Sequence, residues 1–60
     1  MLKILFVDDD AVARRNMAQR IDWNDLGWDL VYTARDGVDA LEYMKENRPD
    51  IIISDIKMPI

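Results

Sequence analysis

The sequence predicts an α/β fold, a β-α-β-α-β unit with parallel strands in the order 2-1-3. Three observations predict it. Leu2-Lys3-Ile4-Leu5-Phe6-Val7 and Ile51-Ile52-Ile53-Ser54 are short apolar runs of the kind found in a parallel sheet covered on both faces. Two segments with helical spacing alternate with these runs and with a third run at residues 30–34. Such alternation implies parallel strands joined by right-handed crossovers. Finally, two of the strand runs end in acids, Asp8-Asp9-Asp10 and Asp55.

The first strand spans residues 2–7, with Lys3 its one polar residue, near the outer end. Asp10 is placed to cap the next element, a helix. Residues 11–21 form that helix, with Ala13, Met17 and Ile21 at i, i+4 and i+8 as the buried stripe and Val12 beside them. Arg14, Arg15, Gln19 and Arg20 are expected on the solvated remainder. Residues 22–29 connect, with Gly27 at a tight bend and Trp23 and Trp28 as packing anchors.

Leu30-Val31-Tyr32-Thr33-Ala34 has the β-branched and aromatic content of a second strand. Asp36 is placed to cap the next helix, with Asp39 in its first turn. Val38, Leu41 and Met44 form the expected apolar face of that helix, with Ala40 and Tyr43 at its edges. Asn47-Arg48-Pro49 stops the helix, and Asp50 opens the third strand. The first strand lies between the other two, and one helix covers each face. Strand three then has an unpaired apolar edge, which natural sheets usually avoid.

The composition narrows the chemistry. Sixty residues with 50% hydrophobic content make one small domain or part of one, not a disordered tail. Twelve acids against eight Lys and Arg give a net charge of −4, which argues against nucleic-acid binding through this segment. There is no cysteine and no histidine, which removes disulfides, thiolate metal sites and the commonest general base. No apolar stretch approaches the ~20 residues of a membrane span, and Met1-Leu2-Lys3 leaves no room for a signal peptide before the first strand. The expected location is cytoplasmic.

In an open parallel sheet, chemistry sits beyond the carboxyl ends of the strands. If strands one and three are neighbours, their ends lie roughly 5 Å apart, and Asp8, Asp9 and Asp55 converge. Crowded carboxylates suit a hard divalent cation with oxygen ligands. Mg²⁺ fits best, and Mn²⁺ also fits. A metal there can bridge to a phosphoryl oxygen, and phosphoryl transfer needs little beyond positioning, charge neutralisation and an in-line nucleophile. A carboxylate can be that nucleophile, forming an acyl phosphate. Asp55, ending a buried strand, is the candidate nucleophile. Asp8 and Asp9 are the candidate metal ligands, and the backbone carbonyl of Lys57 is a further one.

At these residues the chain resembles the receiver domain of two-component response regulators, a flavodoxin-like (CheY-like) fold. Val7-Asp8-Asp9-Asp10 matches the family's acidic strand end, and Asp36-Gly37-Val38-Asp39-Ala40-Leu41 its second-helix entry. Ile53-Ser54-Asp55-Ile56-Lys57-Met58-Pro59 matches its phosphoacceptor segment. The resemblance implies that Asp55 accepts phosphate from a sensor histidine kinase, so that the chain is a phosphoacceptor and not an enzyme. It implies that Asp9, Asp55 and the Lys57 carbonyl bind Mg²⁺ directly, with Asp8 acting through water. The connector, Ile21-Asp22-Trp23 and Leu26-Gly27-Trp28, is similar to receivers fused to AraC-type DNA-binding domains. DNA contact would then belong to a C-terminal domain of the parent protein.

The family's switch Ser/Thr, switch aromatic and phosphate-binding Lys fall beyond Ile60 in this alignment of motifs. Residues 1–60 therefore read as a truncated receiver, the first three strands and two helices, with impaired phosphorylation expected of this stretch alone. Its strand-three edge is expected to drive homo-oligomerisation or a swapped dimer. Two other readings remain. One is a self-associating half-domain without activity. The other is a phosphatase of the haloacid-dehalogenase type, from the D-x-D pattern of Asp8-Asp9-Asp10, with Asp8 as nucleophile and Asp10 as acid/base. That reading leaves Asp55 unexplained.

Overall fold

The computed structural model of the chain describes residues 1–54. Its elements are β1 (Leu2–Val7), α1 (Ala11–Arg20), β2 (Trp28–Ala34), α2 (Gly37–Met44) and β3 (Ile51–Ser54). The strands form one parallel sheet in the order β2-β1-β3, the expected CheY-like arrangement. The chain steps from β1 out to β2 and then back across β1 to β3. Two right-handed crossovers in opposite directions put α1 and α2 on opposite faces.

β1 is central because its side chains are apolar on both faces. Ile4 and Leu5 are fully buried, and Phe6 and Val7 nearly so. Its ladder continues past the strand at the lower end, where Asp50 N–H donates to the Lys3 carbonyl at 2.8 Å. Lys3 N–H in turn donates to the Asp50 carboxylate at 2.7 Å.

β2 begins at Trp28, two positions before the apolar run at residues 30–34. The turn ahead of it explains the extension. Trp28 N–H donates to the Trp23 carbonyl at 2.9 Å, and Gly27, at φ +77°, reverses the chain in the left-handed region where glycine carries no steric penalty. Leu2 N–H then donates to the Gly27 carbonyl at 3.2 Å, so the ladder starts at Leu2 and Trp28. Trp23 is buried, as an anchor should be, with its ring centroid 6.1 Å from that of Trp28. Its indole N–H has no hydrogen-bond partner among the described residues.

A bulge interrupts β2. Ile4 pairs with Leu30 but Leu5 pairs with Tyr32, leaving Val31 as the extra residue. One extra residue moves every later side chain to the other face. Tyr32 therefore shares a face with Leu5, Val7 and Ala34, under α2. There they form the main core cluster with Ala40, flanked by Tyr43 and Met44.

α2 buries a different face from the one expected, whereas α1 turns the expected stripe inward. On α2, Ala40 is buried and Tyr43 and Met44 are half-buried, while Val38 and Leu41 are 76% and 64% exposed. The small Ala40 lets the helix sit close to the sheet. The Tyr43 ring stacks on Tyr32 at 4.4 Å between centroids, with 6° between planes, and this fixes the helix rotation. Ala13 and Met17 on α1 and Ile21 at its C-cap are half-buried as expected, but no residue of α1 is fully buried, Val12 is 60% exposed and Arg14 is half-buried. β3 is also less covered than a strand buried on both faces. Ile51 and Ile53 are half-buried, and Ile52 is 51% exposed. Ile52 pairs with Leu5 and so shares its face, but α2 packs over β1 and β2.

Leu5 and Val38 should therefore respond very differently to truncation. Leu5→Ala removes a fully buried side chain and should cost about 2–5 kcal/mol, whereas Val38→Ala should stay within about 0.5 kcal/mol. Urea unfolding of the two variants measures the difference, and equal losses would contradict this description of the core.

Candidate functional site

The carboxyl ends of the strands meet at Val7. It pairs with Ala34 of β2 on one side and with Ser54 of β3 on the other. The strand order reverses between β1 and β3, and in open α/β sheets ligands bind in the crevice at such a point. Asp8 is the first residue past β1 there.

Asp8 is held on three sides. Its N–H donates to the Ala34 carbonyl at 3.0 Å, extending the sheet by one bond. Its carboxylate Oδ1 accepts from Asp10 N–H at 3.0 Å, and its carbonyl accepts from Arg14 Nη1 at 2.7 Å. The residue is only 5% exposed. A buried carboxylate must find donors or a cation, and these bonds fold the turn around it. Asp9, next in the chain, is exposed.

Asp10 caps α1 as expected. Its Oδ1 accepts from Val12 N–H at 2.9 Å, and the first helical backbone bond runs from Arg14 N–H to the Asp10 carbonyl at 3.0 Å. A carboxylate occupied in this way is not placed as an acid/base group. Asp55 and Lys57 lie outside the described residues, so the structure brings together Asp8 and Asp9 alone of the expected set. Among the described residues, no group of three or more acidic, His or Cys side chains is close enough to hold a metal ion. The donors present are carboxylates at one strand end, in a chain with no His or Cys. They fit a hard cation such as Mg²⁺ and do not fit a soft-ligand metal.

A second polar group lies beside this one, at the entry to α2. Asp36 caps that helix, its Oδ1 accepting from Asp39 N–H at 2.7 Å. The Asp39 carboxylate accepts from Arg35 N–H at 3.0 Å and from the Tyr32 hydroxyl at 2.7 Å. The Arg35 amide, followed by the Tyr32 hydroxyl, makes the Asp39 carboxyl more acidic than usual, with smaller help from the charges of Arg35 and Arg14. Donating to Asp39 in turn holds the Tyr32 hydroxyl above its ordinary range, with burial adding to the effect. Neither this tie nor the Arg14 bond is visible in the sequence. Both link residues whose helical or strand period says nothing about polar reach.

A parallel sheet in this order, with paired acids at the end of its central strand, defines a CheY-like fold. The chain belongs to the response regulator receiver domain family, whose model matches residues 4–60. It is 39% identical over 59 residues to an uncharacterized response regulatory protein of Staphylococcus epidermidis. Identity is also 39% over 59 residues to the transcriptional regulatory protein HptR of Staphylococcus aureus. Each alignment covers 98% of this chain, but only 24% and 23% of those proteins, so the chain spans about a quarter of the length of the curated relatives it matches. No solved structure matches it significantly. Receiver domains are phosphoacceptors of two-component signalling rather than classical enzymes. They interact with histidine kinases and generally bind Mg²⁺ at the phosphorylation site. Family membership displaces the phosphatase reading, in agreement with the capping role of Asp10.

The Tyr32–Asp39 tie has a pH signature. Asp39 is more acidic folded than unfolded, so its contribution is present above the ordinary Asp range and is lost as pH falls through the lowered folded value. Tyr32 is less acidic folded than unfolded, so its contribution is present below the ordinary Tyr range and is lost as pH rises through the raised folded value. The stability difference between wild type and Tyr32→Phe should be flat near neutrality and shrink at both extremes. Thermal melts across pH measure it, and a pH-independent difference would rule the tie out.

Proposed function

We propose that Asp55 accepts a phosphoryl group from a sensor histidine kinase, with Mg²⁺ held by Asp9, Asp55 and the Lys57 carbonyl, and with Asp8 supporting it through water. The observation that carries this reading is the pairing of Val7 with Ser54. The residue after Val7 is the buried Asp8, and the residue after Ser54 in the sequence is Asp55. Family membership and the carboxylate-only donor set support it as well.

In the proposed step, a carboxylate oxygen of Asp55 attacks the phosphorus of a phosphohistidine. An O–P bond forms, the N–P bond breaks, and the electron pair leaves on the imidazole nitrogen, which takes up a proton. Bound Mg²⁺ would neutralise charge on the phosphoryl oxygens. Asp8, held by its hydrogen bonds, and the exposed Asp9 beside it supply negative charge at the end of the most buried strand. The same reading makes residues 1–60 the first half of a receiver that works in the cytoplasm. The transcriptional regulatory relative supports an output in transcription for the parent protein, and the resemblance of the Trp23–Trp28 connector is what suggests a DNA-binding domain of the AraC type further along it.

Incubation with acetyl phosphate and Mg²⁺, followed by hydroxylamine trapping and peptide sequencing, tests the proposal. Label should fall on Asp55 and vanish in Asp55→Asn. Asp9→Ala should slow labelling by about 10²-fold, the usual scale for losing one preorganised electrostatic partner. Label on Asp8 or Asp10, or labelling that survives Asp55→Asn, would overturn it.

A further inference from the structure

We propose that Arg14 is a positioning residue for this site: its guanidinium, bonded to the Asp8 carbonyl, sets the direction of the Asp8–Asp9 peptide and so aims the Asp9 carboxylate. This rests on the phosphoacceptor reading above. By helical period Arg14 belongs to the solvated side of α1 beside Arg15, and the structure separates the two. Arg15 is exposed, whereas Arg14 is half-buried and reaches back six residues, to within 2.7 Å of the Asp8 carbonyl oxygen. A bond of that length from an ionised donor is of the strong, charge-assisted kind.

The target of the bond is informative. Asp8 is already fixed through its own amide and through Asp10 N–H on its carboxylate. Asp9 is exposed, and no described residue hydrogen-bonds its carboxylate. The peptide plane between the two residues carries the Asp8 carbonyl at one end and the Asp9 amide at the other, so holding that oxygen orients the Cα of Asp9. The anchoring guanidinium is itself fixed at the first turn of α1, where Arg14 N–H donates to the Asp10 carbonyl at 3.0 Å. The turn is thus closed at its backbone by the residue four positions beyond its last acid.

Charge alone predicts the opposite outcome from positioning, which makes the test decisive. Removing a cation near two carboxylates makes the site more negative, and simple electrostatics would tighten Mg²⁺ binding. Loss of an orienting partner weakens metal affinity, typically about 10–100-fold for outer-shell groups.

The experiment is calorimetric titration of wild type, Asp9→Ala, Arg14→Ala, Arg14→Lys and Arg15→Ala with MgCl₂, with backbone ¹⁵N relaxation on the same proteins. Arg14→Ala should weaken Mg²⁺ binding by about tenfold or more and increase fast motion at the Asp9 amide. Arg14→Lys keeps a charged donor but loses the planar fork, so it should fall in between. It also keeps the inference testable if the alanine variant unfolds. Arg15→Ala removes the same charge and should bind as wild type does. Equal or tighter binding by both Arg14 variants, with Asp9→Ala still abolishing it, overturns the positioning role and leaves the phosphoacceptor reading standing. Wild-type Mg²⁺ binding that Asp9→Ala does not reduce overturns both.

Discussion

The burial of β1 on both faces and both edges is the constraint on which the rest of the structure depends. Ile4 to Val7 can leave water only if a strand pairs on each side and a helix packs on each face. The order β2-β1-β3 is the arrangement that supplies all four from one short chain with right-handed connections. Burying side chains of this size stabilises by roughly 1.5–3 kcal/mol each, large against the few kcal/mol available to a domain this small. The same constraint produces the site. A central strand buried to its last residue must deliver the residue after Val7 into the crevice where the strand order reverses. That residue is Asp8, satisfied by the Ala34 carbonyl, the Asp10 amide and the Arg14 guanidinium.

The bulge at Val31 is the second organising feature. Without it Tyr32 would share the face of Ile4. With it Tyr32 lies beneath α2, where its ring stacks on Tyr43 and its hydroxyl bonds Asp39. One irregularity in β2 thus sets the rotation of α2 and ties the helix entry to the sheet beside the acidic turn. The exposure of Val38 and Leu41 results from that rotation.

Much of this is legible in the sequence, and the rest is hidden for physical reasons. The strand runs, the caps at Asp10 and Asp36, the bend at Gly27 and the topology each answer to a local signal: branched apolar runs, short acids before helices, a glycine between tryptophans. The buried face of α2 is ambiguous in the sequence because Val38, Leu41 and Met44 make an apolar stripe as good as the Ala40, Tyr43 and Met44 that pack. Only the bulge, a tertiary feature, selects between them. The incomplete cover of β3, with Ile51 and Ile53 half-buried and Ile52 exposed, is not set by the apolar run itself, because a run of three says nothing about how far a helix extends across the sheet. Among the site residues, Asp8 and Asp9 are where their position at a strand end puts them. Arg14 has a polar helical phase that points to solvent, and phase does not reveal that a long side chain folds back over its own cap.

The central claim is that the acidic turn after β1 is the cation-binding half of a phosphoacceptor site. Paramagnetic broadening of backbone amide signals by substoichiometric Mn²⁺ tests this most directly, because it reports where in the fold the ion resides. The chain carries a competing acidic segment, Asp22, Asp25 and Asp29, around the turn at the opposite end of the sheet. Broadening should centre on Asp8, Asp9 and Asp10, extend to Ala34 and Ser54, and be relieved by excess Mg²⁺. Broadening centred on Asp22 to Asp29, or spread evenly over exposed acids and unmoved by Mg²⁺, would contradict the claim.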